Sequence, residues 1–262
     1  MDVVQHNREA WNNYVRQGIR WSVPVSPEEI ERARGGDWKI ILTPNKGVPR
    51  EWFGEIAGKR VLCLASAGGQ QAPILAAAGA HVVSFDNSDE QLKQDELVAR
   101  RDGLDLETIR GDMADLSAFE GESFDLILNG VSNLFVPDLA PVWQECARVL
   151  KPGGRLLVGF MNPMYFLFDH FEAEQTGEFV VRHVPPYTDL THLPEEKLQQ
   201  MIANREALEY GHSLTAQLAG QMRAGLIVTD LYEDDWDDEA TLFNKFGDMF
   251  IATLARKISI PD

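Results

Sequence analysis

A chain carrying VLCLASAGGQQAPILAAAGAHVVSFD between Val61 and Asp86 has few folds open to it. Val61 to Leu64 is a short apolar run stopped by small residues, the pattern of a strand buried on both faces of a parallel sheet. The turn Ala65 to Gly69 follows, and from Gln70 onward Pro73, Ile74, Ala77 and Ala78 recur at helical spacing. Pro73 falls in the first helical turn, where a missing N–H costs little, and Gly79 can close the helix in the left-handed conformation. His81 to Phe85 makes a second strand, with Asp86 at its carboxyl end. The result is a βαβ unit ending in an acid, and open α/β sheets bind ligands at the carboxyl ends of their strands.

The downstream sequence extends the same alternation. Ser88 to Gln91 has the spacing of a capping box, opening a helix that runs to about Asp102 and stops at Gly103. Leu106 to Arg110 is a third strand, followed by Gly111, Asp112 and Met113. Phe124 to Asn129 is a fourth, leading into GVSNLF. Leu139, Val142, Trp143, Cys146, Ala147 and Leu150 share one helical face, and Lys151 to Gly154 end that helix before a fifth strand in RLLVGF. From Asn162 to about Tyr210 the periodicity weakens while Tyr165, Phe166, Phe168, His170, Phe171, Phe179, His183, Tyr187 and His192 gather. There a strand over Phe179 to Val184 and a short helix over Glu195 to Ile202 are expected. A helix presenting Leu214, Leu218 and Met222 to the core, then strands Leu226 to Tyr232 and Phe250 to Arg256, complete the chain. Between those strands EDDWDDE, Glu233 to Glu239, lacks the glycine and distal glutamate of a calcium loop, so a solvated acidic loop and no metal site are expected.

At the other end, Val4, Trp11, Tyr14, Val15 and Ile19 form the apolar stripe of an amphipathic helix. Ser22 to Pro49 is loop-rich, with a short helix at Pro27 to Arg34. Trp38, Trp52 and Phe53 are expected to anchor it.

The 262 residues carry a net charge of −17, a field that repels phosphate backbones and anionic lipid, so neither nucleic acid nor membrane is an expected partner. The densest basic cluster is Arg100 and Arg101, which suits a solvated helix end. Cys63 and Cys146 fall in a strand and a helix, without paired spacing. The first residues, MDVVQHNREAWNNY, have no apolar core of signal-peptide length. A cytoplasmic protein with reduced thiols is expected, a monomer by default.

Val61 to Asp86 resembles motif I and the following acidic motif of class I S-adenosylmethionine-dependent methyltransferases, and the likeness extends through GDM at Gly111 to Met113, RVLKPGGRLLVGF, and the closing strand pair to Lys257. The glycine positions of the family turn are occupied here by Ala65, Ala67 and Gly69, with an additional Gly68. Cys63 stands where an acid is common. The resemblance implies an α/β fold: a Rossmann-like seven-stranded sheet, mostly parallel with an antiparallel edge strand, and helices on both faces. It implies residues 1–55 as a lid over the cofactor pocket, 56–161 and 211–262 as the core, and 162–210 as an inserted substrate-recognition segment.

The same resemblance implies S-adenosyl-L-methionine as cofactor, held by Ala65, Ser66, Ala67 and Gly69 of the turn, by Asp86, Asn87 and Gln91 beside the ribose, by Asp112 and Met113 at the adenine, and by Asn129 and Val131 near the methyl donor. Trp11, Tyr14 and Trp21 are lid candidates. The expected reaction is transfer of a methyl group to a small-molecule acceptor by in-line displacement at the sulfonium methyl. His183, His192 and His212 are the nearest bases by region, yet each also suits a hydrogen-bonded structural role, so no catalytic residue is assigned. Two alternatives stand beside this reading. One is a dinucleotide-dependent oxidoreductase, against which Gln70 occupies the third glycine position of G-x-G-x-x-G. The other is a protein that binds S-adenosylmethionine or S-adenosylhomocysteine without turnover.

Overall fold

The computed structural model describes residues 1–237 and 241–258. An N-terminal layer comes first: helix α1 (Val3–Gln17), α2 (Pro27–Arg34) and the single turn α3 (Arg50–Phe53). The alternating part follows as β1 (Arg60–Leu64), α4 (Gln71–Ala77), β2 (His81–Asp86), α5 (Asp89–Asp102), β3 (Leu106–Arg110), β4 (Phe124–Asn129), α6 (Leu139–Val149) and β5 (Leu150–Met161). Short elements fill the next stretch: α7 (His170–Thr176), β6 (Tyr187–Thr188), α8 (Asp189–His192), α9 (Glu195–Asn204) and β7 (Tyr210–Gly211). The chain closes with α10 (Gly220–Arg223), β8 (Leu226–Asp234) and β9 (Phe250–Lys257).

Seven strands form one sheet in the order β3-β2-β1-β4-β5-β9-β8. β1 to β5 are parallel, and β9 runs antiparallel between β5 and the outermost strand β8. From β1 the chain moves outward through β2 and β3, then returns to place β4 on the other side of β1. A crevice opens where the order reverses, at the carboxyl ends of β1 and β4.

Each sheet face has its own core. One joins Leu62, Phe85, Phe124 and Leu156 to Trp143 and Cys146 of α6, and the other joins Val61, Cys63 and Leu157 to Leu75 of α4 and to Trp52 and Phe53 of the N-terminal layer. Trp52 also donates from its indole nitrogen to Asp230 at 2.9 Å. The crossover from β3 to β4 has no helix. Its Leu116 and Phe119 are buried, and their carbonyls accept from the Arg148 guanidinium of α6 at 2.8 and 2.9 Å. No helix among the described residues is long and apolar enough to cross a membrane.

Four elements depart from the sequence pattern, the first being Lys151–Gly154, expected as a turn but lying within β5. Phe179 to Val184 forms no strand, making only a bridge from Val181 to Phe168. Capping-box spacing at Ser88 produces half a box: the Ser88 hydroxyl accepts the Gln91 N–H, but the Gln91 side chain is used elsewhere. The expected Leu214–Leu218–Met222 face is displaced because Thr215–Ala219 adopts a π-helical turn. That extra residue rotates the helix, so Gln217 and Gln221 are buried while Leu214 and Met222 are about half exposed. Trp143 compensates by donating to the Ala216 carbonyl at 2.9 Å.

Candidate active site

The turn after β1 has lost two glycines without losing the left-handed backbone that glycine favours: Ala65 has φ 46° and Ala67 φ 67°, beside Gly69 at φ 75°. Its amides are tied inward. Gly68 N–H donates to Gln91 Oε1 at 2.9 Å, and Gly69 N–H to Asp95 Oδ1 at 2.7 Å. The other Asp95 oxygen accepts from the Ser84 hydroxyl at 2.6 Å. Burial pushes the Asp95 carboxyl up to about 7. Pro24 packs on Gly69, whose carbonyl accepts Val25 N–H at 2.8 Å.

A cavity of about 310 Å³ occupies the crevice, within the size range of small-ligand sites. Of the eleven sequence candidates, Ala65, Ser66, Ala67, Asp86, Asn87, Gln91, Asp112, Met113 and Val131 line it. Gly69 and Asn129 are not on its wall. Gly69 turns toward Pro24 and α5, and Asn129 is buried between strands, donating to Leu64 O and Ser132 Oγ at 3.0 Å each. It holds the ends of β1 and the β4 loop together where the sheet diverges.

Asp86 and Asp112 sit at the ends of neighbouring strands, held apart by a turn whose Gly111 has no room for a side chain against Phe85. Each spends one oxygen locally. Asp86 Oδ1 accepts Ser88 N–H at 2.7 Å, and Asp112 Oδ1 accepts Ala114 N–H at 3.0 Å. The second oxygen of each receives no hydrogen bond from a described residue. Burial raises the Asp86 carboxyl to about 6.

The cavity is roofed by the N-terminal layer and by residues far along the chain. Trp11, Trp21 and Trp236 line it; Tyr14 instead faces a neighbouring cavity, its hydroxyl accepting Ala207 N–H at 2.9 Å. Asn7 ties α1 down, donating to Phe135 O and Leu208 O and accepting Leu208 N–H at 2.8 Å. The acidic loop is not simply solvated. Asp234 is 2% exposed and accepts the N–H groups of Asn45 and Lys46 at 2.9 Å, while Asp235 accepts Met249 N–H at 3.1 Å. These contacts set Trp236 on the cavity wall; Asp238 and Glu239 lie outside the described residues. His183, His192 and His212 do not line the main cavity, and His212 Nε2 faces the Val136 and Asn133 carbonyls at 2.8 and 3.1 Å.

Residues 62–158 match the Methyltransferase domain family. The Bacillus subtilis (strain 168) protein named "Uncharacterized methyltransferase YbaJ" is 53% identical over 232 residues, 88% of this chain and 91% of that protein. The chain belongs to the class I S-adenosylmethionine-dependent methyltransferases. Among solved structures, an S-adenosylmethionine-dependent methyltransferase from Mesorhizobium loti shares the fold, with a TM-score of 0.62 at 18% identity over 79% of this chain and 95% of that one. A ubiquinone biosynthesis O-methyltransferase of Hahella chejuensis is 35% identical over 132 residues, covering 50% of this chain and 54% of that protein.

The methyltransferase uses S-adenosyl-L-methionine, and its cavity suits that ligand. Two acids with an open oxygen each match a ligand rich in donors and positive charge, and Phe85, Met113 and Val131 give apolar surface beside them. The oxidoreductase and the non-catalytic binder are not favoured. Several wall residues of the methyltransferase carry no signal in the sequence. Ile41 to Pro44 reach the cavity because Leu42 packs on Gly159 of β5, which has no space for a Cβ. Tyr165 and Glu209 arrive from the aperiodic segment. Glu209 sits between the buried Leu208 and Tyr210, a position without periodic pattern to distinguish it.

Proposed function

We propose that this methyltransferase acts on a small-molecule acceptor by in-line displacement, with the cofactor held across the crevice by the nine lining candidates. The observation that carries this reading is the joint placement of Asp86 and Asp112, each with one unengaged oxygen, in a cavity closed over by tryptophans from three parts of the chain. Asp86 would accept from the ribose hydroxyls, Asp112 from the adenine amine, and Met113 would lie against the purine. Ala65 to Ala67 would bound the amino-acid end. When bound, S-adenosyl-L-methionine supplies a methyl group already activated on a sulfonium.

The protein's share is alignment and exclusion of water. Positioning of this kind is worth roughly 7–11 kcal/mol when the reacting atoms are held in a near-attack arrangement. Trp11, Trp21 and Trp236 keep the site dry, and a roofed cavity of about 310 Å³ under a net charge of −17 suits a small acceptor better than a nucleic acid. Residues 1–55 serve as the lid and 162–210 as the acceptor-facing insert on the methyltransferase core.

Parallel calorimetric titrations with S-adenosylmethionine, S-adenosylhomocysteine, NAD and NADP test the site. Micromolar binding of the first two alone is expected. Preference for a dinucleotide, or silence from all four on folded and ligand-free protein, would overturn the assignment of the cavity.

A further inference from the structure

A second cavity, about 230 Å³, adjoins the first, and Tyr165 and Glu209 line both. It is built from the aperiodic segment, with Tyr14 of α1 completing the wall. Its acids are Asp169, Glu174, Asp189, Glu206 and Glu209. Lys197 pairs with Asp169 at 3.3 Å, its ammonium lying 3.6 Å from the Phe171 ring centre. His170 and His183 face the same space, and burial lowers both, His170 to about 4, so neither adds positive charge at neutral pH.

The partners of these acids separate one from the rest. Asp189 accepts Glu209 N–H at 2.7 Å and the Tyr187 hydroxyl at 2.8 Å, while Glu206 accepts from Asn204 at 2.9 Å. Glu174 is exposed at the rim. The Glu209 carboxylate receives no hydrogen bond from any described residue, and the part-buried side chain stands where the two cavities meet. Burial, with the Asp189 charge beside it, raises this carboxyl to about 8. At neutral pH the empty site therefore holds this carboxyl protonated, and an incoming cation favours its ionised form, drawing off the proton and pairing with the carboxylate.

We propose that the second cavity is the acceptor's chamber and that its occupant is a primary or secondary amine, entering as an ammonium ion with Glu209 as its counter-charge. This rests on the methyltransferase reading of the first cavity. The unbalanced acids repel carboxylates and phenolates. A neutral alcohol can donate to Glu209 but brings no charge to pair with its ionised form. Tyr187 adds an aromatic side chain to the lining. An ammonium has no free electron pair, so the acceptor first passes one proton to the Glu209 carboxylate. The freed nitrogen pair then forms the N–C bond, the C–S bond breaks with its electrons returning to sulfur, and a protonated N-methyl product and a neutral thioether result.

The test is calorimetric titration of protein saturated with S-adenosylhomocysteine, using amines from methylamine to 2-phenylethylamine and the alcohol and carboxylate of each skeleton. Binding by amines alone is expected. Glu209→Gln should weaken the best amine at least tenfold, and Ala207→Leu, which narrows the chamber, should weaken 2-phenylethylamine more than methylamine. Equal binding of the alcohols or acids, no amine binding across the series, or unchanged amine affinity in Glu209→Gln would overturn the proposal. Failure of S-adenosylhomocysteine itself to bind would instead overturn the reading of the first cavity.

Discussion

Replacing Ala65 and Ala67 by glycine should stabilise this protein, although glycine destabilises most folded positions. Both alanines hold left-handed backbone, at φ 46° and 67°. There the Cβ crowds the following carbonyl at a cost of roughly 1–2 kcal/mol per residue. Glycine removes that strain but gives the unfolded chain more freedom, which takes back about 0.4–1 kcal/mol. The difference is a net gain of about 0.5–1 kcal/mol at each site. Because the two share one turn, their effects need not add, and about 1–2 kcal/mol for the pair is expected. In a domain of this size that raises the unfolding midpoint by about 2–6 °C.

Calorimetric or circular-dichroism melts of parent, both single variants and the pair measure it. Ala99→Gly in α5 is the control, a helical position where the same change should cost about 1 kcal/mol. A pair no more stable than the parent, with the control destabilised as expected, would refute the argument that these alanines are strained.

Three further outcomes follow from the site. Gly68→Ala should cost about 1–3 kcal/mol of stability in urea unfolding, since a Cβ there runs into the Gln91 backbone at the start of α5. Asp86→Asn should weaken S-adenosylhomocysteine by about 1–3 kcal/mol at pH 8; in the parent, affinity should fall as pH drops through about 6, where the Asp86 carboxylate takes up a proton, and the variant should show a flatter profile. The buried Asp95 carboxyl is raised from 3.8 to about 7, so the folded chain binds its proton more tightly than the unfolded chain, and its contribution to stability falls as pH rises across that window. Asp95→Asn should therefore flatten stability between about pH 4 and 7, as followed by urea midpoints; an unchanged slope would count against this origin.

The sheet was legible because its strands obey rules of the local chain. A buried parallel strand is a nearly continuous apolar run, as in Val61–Leu64 of β1 and in Phe124–Asn129, and the more exposed edge strand Leu106–Arg110 also appears where the sequence places it. The acids at strand ends were legible for the same reason: once β2 and β3 are located, Asp86 and Asp112 follow. What escaped depends on tertiary context. The π-turn at Thr215–Ala219 inverts a helical face that looked apolar, and buried Gln217 accepts from Asn133, a partner 84 positions away. Asp234 belongs to a run of acids that suggests solvent, yet two backbone N–H groups from the N-terminal layer draw it inside. Glu209 shows no pattern at all, since its significance arises only where two cavities meet.

That meeting point also explains why the N-terminal helix cannot act as an independent flap. α1 is bonded to both halves of the site: Asn12 accepts from the Ser88 hydroxyl beside Asp86 at 2.8 Å, while Asn7 and Tyr14 hold the backbone at Leu208 and Ala207, next to Glu209. Lifting α1 would leave the buried N–H groups of Ala207 and Leu208 without acceptors, each at about 1–3 kcal/mol unless water replaces them. The cofactor side and the acceptor side therefore share one clamp. Ordering of Asp86 by a bound ligand would steady Ser88 and α1, and through α1 the segment that carries Glu209. The acceptor chamber is in this way completed by the same helix that closes the cofactor cavity, which favours assembly of the second site after the first is filled.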